Sequence, residues 1–124
     1  MKKKWIILTI TSLALLLSGI VWGWHSRLEK RDAEARESLK EVYELETAYR
    51  AMFGHFTDNM HAIVYIQDTL VTEGGRANYL VSLLEVTDST FTAAAVSVVD
   101  FDGDGQFSQW MVDETGTIKE IVED

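Results

Sequence analysis

The sequence predicts an α+β chain in which an N-terminal transmembrane helix continues into a long amphipathic helix packed on a four-stranded antiparallel sheet. Three observations predict it. The 20 residues from Trp5 to Trp24 carry no charge. Apolar side chains then recur at steps of three and four up to Phe56. Beyond Gly74-Gly75 the pattern changes to short β-rich segments separated by polar turns.

The first element is the uncharged run. At 1.5 Å per residue it reaches roughly 30 Å, the thickness of a bilayer's hydrocarbon core. Trp5 stands at one edge and Trp22 and Trp24 at the other, where indole rings favour the headgroup boundary. Lys2, Lys3 and Lys4 precede it and favour a cytoplasmic N-terminus, with the remaining chain outside. Residues 1–25 are therefore expected to form a retained anchor. The competing expectation is a cleaved signal peptide with an apolar core from Trp5 to Leu17. Both put the rest of the chain beyond the cytoplasm.

Residues 26–56 contain no proline, and glycine only at Gly54. Leu39, Val42, Leu45, Tyr49, Met52, Phe53 and Phe56 make one apolar stripe, of which Leu39, Val42, Leu45, Tyr49 and Phe53 are the expected packing residues. The preceding stretch is almost entirely charged, with Asp32 and Arg36 a favourable i,i+4 pair. Together the two helices give a spine of about 50 residues, roughly 75 Å long.

Residues 57–124 are expected to hold a connecting segment and the sheet, folding as one globular domain with residues 36–56. Thr57 suits the N-cap of a short helix reaching Gln67. The expected strands run over residues 79–86, 91–99, 107–113 and 117–122. Connections this short force antiparallel neighbours, hence a meander. In the third strand, Ser108, Trp110 and Val112 share one face, and Phe107, Gln109 and Met111 the other.

Composition removes several functional classes. The chain of 124 residues has no cysteine, so disulfides, thiolate zinc sites and cysteine nucleophiles are excluded. The net charge of −9 is uneven: residues 1–50 sum to +2 and residues 51–124 to −11. The distal part repels phosphate, which argues against nucleic-acid partners. His25, His55 and His61 have no metal-pair spacing.

The acidic loop is the one chemical candidate. Asp100, Asp102 and Asp104 alternate before Gly105, like the first half of an EF-hand loop. Met111 stands where that loop needs a bidentate glutamate, and strands flank it, so it is no EF-hand. Calcium held by Asp100, Asp102 and Asp104, with the Gln106 carbonyl, Ser108, Asp113 or Glu114, is one reading. A plain hairpin turn is the other, since turns select aspartate and glycine.

The order of elements resembles type IV pilins and the pseudopilins of type II secretion. Residues Ser38 to Tyr49 look like the second half of a pilin spine helix, and Ala51 to Asp58 like the segment where such helices end. Asp100 to Gly105, Trp110 and Asp113 to Lys119 are similar to the last hairpin and closing strand of many pilin-like proteins. The N-terminus departs from that family. No glycine-ended leader precedes the apolar run, and Lys4 lies close to where the family has its glutamate. The resemblance implies a structural subunit of a bacterial pilus or secretion filament, not an enzyme. Its implied partners are other pilin-like subunits or the assembly platform. Its implied place is the inner membrane, with the head in the periplasm or at the cell surface. Some pseudopilins bind calcium, which the resemblance extends to this loop. The alternative is a single-pass anchored adaptor whose pilin-like head does not polymerise.

Overall fold

The computed structural model describes residues 29–124, and the expected anchor with Trp5, Trp22 and Trp24 lies outside them. Among the described residues no helix is long and apolar enough to cross a membrane. The described residues are α+β: one helix, α1, packed on a four-stranded antiparallel sheet.

α1 is helical from residue 29 to residue 53. Its charged, β-branch-poor sequence favours helix. Gly54, at φ 82°, ends it. The Gly54 N–H donates to the Arg50 carbonyl at 2.7 Å, the bond that closes a helix in a left-handed cap. Only glycine takes this conformation at no steric cost. The helix therefore stops three residues before Phe56, the expected limit. Phe56 is instead buried off the helix end, with its ring edge-on to Phe91 at 4.9 Å.

The buried face of α1 is Ala35, Leu39, Val42 and Glu46, at steps of four, three and four. The expected stripe was centred too far round the helix. Leu39 and Val42 are fully buried, and Leu45 and Tyr49 are half-buried. Phe53 is 58% exposed and Met52 76%. The last turn of α1 therefore leaves its apolar side chains largely exposed. Phe53 stacks on Tyr49 at 4.6 Å rather than entering the core.

The expected helix from Asp58 to Gln67 does not form. Asn59 and Thr57 use their side chains on nearby backbone: Thr57 Oγ1 accepts the Asn59 N–H, and Asn59 Oδ1 accepts the His61 N–H. Such local bonds compete with helix propagation. One turn forms and closes at once. The Tyr65 N–H reaches the Met60 carbonyl and the Val64 N–H the His61 carbonyl. That is a Schellman closure with valine, at φ 59°, where glycine is usual. The short 3-10 turn sits later, at Val71–Glu73.

The sheet order is β1-β2-β3-β4, with β1 Tyr79–Val86, β2 Phe91–Ser97, β3 Gln109–Asp113 and β4 Ile118–Val122. Every neighbouring pair is antiparallel, the expected meander. β2 stops at Ser97, two residues early. There the Ser97 hydroxyl bonds locally to the Val99 carbonyl and N–H. β3 starts at Gln109, two residues late, and Trp110 and Val112 do face the core. Small residues let α1 lie close: Ala93 and Ala95 of β2 are fully buried beneath it, beside Val81, Phe91 and Val112.

Two side chains tie elements together. Glu34 of α1 accepts both the Asn78 N–H, at 2.7 Å, and the Asn78 side-chain amide, at 2.9 Å. Gln67 lies along β1: its Nε2 donates to the Tyr79 carbonyl and its Oε1 accepts the Val81 N–H, both at 3.0 Å.

Candidate functional site

The β2–β3 connection gathers the acidic residues. Gly103 and Gly105 sit at φ 75° and 85°, which bends the loop twice. The carboxylate of Asp100 accepts the Gly103 N–H at 2.9 Å and the Gly105 N–H at 2.7 Å. Asp102 accepts from the Asp104 N–H at 3.0 Å, and Asp104 from the Gln106 N–H at 2.8 Å. Each aspartate thus shapes the loop through backbone bonds, as aspartates in turns do.

A fourth carboxylate joins them from beyond β4. Asp124 accepts the Phe101 N–H at 2.8 Å and the Asp102 N–H at 3.1 Å. Asp100, Asp102, Asp104 and Asp124 each present an oxygen, all within 4.8 Å of one another. Asp100 and Asp124 are half-buried, and Asp102 and Asp104 are exposed. Phe101, with its ring 6.3 Å from that of Tyr79, fixes the loop to the core edge.

The electrostatics record this crowding. The Asp104 N–H draws the Asp102 carboxyl down. Desolvation and the neighbouring Asp124 and Asp104 carboxylates outweigh it and push Asp102 up to about 6. Asp113 goes the other way. The Thr115 hydroxyl bond holds its carboxyl below the usual range. It belongs to the β3–β4 turn, where it also accepts the Thr115 N–H.

Of the expected ligands, Asp100, Asp102 and Asp104 therefore converge. Gln106 takes part through its N–H. Ser108 does not join them: it is buried, and its Oγ accepts the Tyr79 hydroxyl at 3.1 Å inside the core. Alternation puts Ser108 on one face with Trp110, and the fold turns that face inward. Asp124 was missed, because only the pairing of β3 with β4 brings it back to the loop. Chemically the cluster is a set of hard oxygens suited to a cation such as calcium, which takes six to eight of them.

The second notable feature is α1's outer face near its end. Leu45, Ala48, Tyr49, Met52 and Phe53 line a shallow apolar groove with Ala62 and Ile63. Of the five expected packing residues, Leu39 and Val42 serve the core, Leu45 and Tyr49 are shared, and Phe53 belongs to this groove. Compared with known proteins, the chain matches no protein-family profile and no curated sequence.

Proposed function

We propose that this chain is a membrane-anchored, pilin-like structural subunit of a bacterial envelope filament or type II secretion-type machine, acting by assembly with other subunits. The observation that carries the proposal is the end of α1. The sheet uses one face of the helix, while Met52 and Phe53 at its end stay exposed beside the half-buried Leu45. A single helix on a single meander is also the architecture the resemblance implies. The chain has no cysteine, so the test is direct. Single cysteines at Met52, Phe53 and, as a control, Ser82 are introduced into the full chain in its native membrane. Oxidation should yield cross-linked species from positions 52 and 53 and none from 82. Cross-linking from none of them favours the adaptor reading, which the departure at Lys4 also supports. An intact mass reports whether the N-terminus is processed.

Calcium at the acidic loop belongs to the same proposal, supported by the convergence of four carboxylates and the raised Asp102 carboxyl. Binding only to the closed loop adds stability, about 2.7 kcal/mol at 100 times the dissociation constant. The protein should melt higher in millimolar calcium than in chelator, and Asp104→Ala should remove the difference. Identical curves would leave the loop a plain turn.

A further inference from the structure

Residues 54–64 form a strap from the end of α1 to the Schellman turn, bounded by Gly54 and Val64 in left-handed conformations. Few bonds hold it down. The Phe56 N–H donates to the Asp88 carbonyl of the β1–β2 turn at 3.2 Å. The Thr57 N–H donates to Glu46 Oε2 at 3.1 Å. Phe56 and Ile63 plug the core beneath it.

Glu46 is the unusual member. It has no exposed surface, and its Oε1 has no hydrogen-bond partner. A buried carboxylate with an unsatisfied oxygen is costly when ionised and much less so when protonated. The surrounding charges offer little relief. Asp58, on the strap, adds negative potential. Arg50, one turn along α1, lays its guanidinium over the Phe56 ring at 5.0 Å. His55 bonds through Nδ1 to the Phe56 carbonyl, and Asp88 contributes its backbone carbonyl. Burial pushes the Glu46 carboxyl up, the Thr57 N–H partly offsets this, and Asp58 adds to the rise.

We propose that Glu46 is a protonation-dependent latch for the 54–64 strap: its neutral carboxyl keeps the strap closed, and its ionisation releases it. The sign follows from the direction of the shift. A carboxyl raised by folding contributes fully below its ordinary value of 4.5 and loses that contribution as pH rises through the raised value. Release withdraws Phe56 and Ile63 from the core and widens the groove along Leu45, Tyr49 and Phe53. The latch stands independently of filament assembly, since it needs only this chain.

Amide hydrogen exchange of the full chain in detergent micelles, corrected for intrinsic rates, tests it between pH 5 and 8. Protection of residues 56–64 should fall about tenfold or more relative to that of β2 as pH rises. Glu46→Gln keeps an acceptor for Thr57 but cannot ionise, so its protection should be flat. His55→Asn and His61→Asn should retain the fall. If Glu46→Gln does not fold, as β2 protection would show, a carboxyl-carbon titration of Glu46 in the unmodified protein replaces it. Its midpoint should coincide with the loss of protection. Constant protection in the unmodified protein, an unchanged fall in Glu46→Gln, a fall abolished by a histidine substitution, or non-coincident midpoints would overturn the latch.

Discussion

Asp102 and Asp113 lie close in sequence but respond to pH in opposite senses. The Asp102 carboxyl is raised from 3.8 to about 6, so its favourable contribution holds below 3.8 and is lost as pH rises through about 6. Asp113 is lowered from 3.8, so its contribution holds above 3.8 and is lost as pH falls through the lowered value. In chelator the melting temperature should drop between pH 5 and 7. Asp102→Asn, which keeps an acceptor for the Asp104 N–H, should shrink that drop. An equal drop in the variant would place the titration elsewhere. Packing divides residues just as sharply. Leu39→Ala empties a fully buried site under the sheet and should cost about 2–5 kcal/mol in denaturant unfolding. Phe53→Ala loses mainly its stack on Tyr49 and should cost about 1 kcal/mol or less.

Among the elements, the turns carry the strain. Gly116 sits at φ 78°, and a Cβ there would come 3.0 Å from the Tyr43 ring of α1. Gly116→Ala should therefore destabilise by about 1–2 kcal/mol from backbone alone, and more if Tyr43 cannot yield. Val64 is the converse case, a β-branched residue already held at φ 59°. Val64→Gly should raise the unfolding free energy by up to about 1 kcal/mol, the relief of strain less glycine's added chain entropy. A loss of stability would mean the exposed valine side chain makes a contact that outweighs its strain. The strands were legible in the sequence because alternation and tight turns act locally: Trp110 and Val112 share a face by period alone, and only the fold shows that face to be the buried one. α1 was legible as a helix but not in its facing. Glu46 hid the true stripe, because a charge at the fourth inward position reads as solvent-exposed. The 58–67 helix failed for the reverse reason. Its apolar spacing is helical, but Thr57 and Asn59 divert the backbone N–H groups it needs.

At the scale of the molecule, charge and edges matter most. Residues 29–124 carry 7 basic and 20 acidic side chains. Self-repulsion on that scale is screened within about 10 Å at 0.1 M salt, so stability should rise with ionic strength. Three of the four carboxylates of the acidic site were legible for a molecular reason: Asp100, Asp102 and Asp104 alternate within one loop, whereas Asp124 arrives only through the fold. The sheet ends in two edges, β1 and β4. On β1, the carboxamide of Gln67 occupies the Tyr79 carbonyl and the Val81 N–H as a neighbouring peptide group would. One side chain thus acts as a decoy strand that occupies an edge otherwise open to intermolecular pairing. In a crowded assembly this has a colloidal consequence: Gln67→Ala should leave the fold intact yet shorten the lag before thioflavin-positive aggregates form.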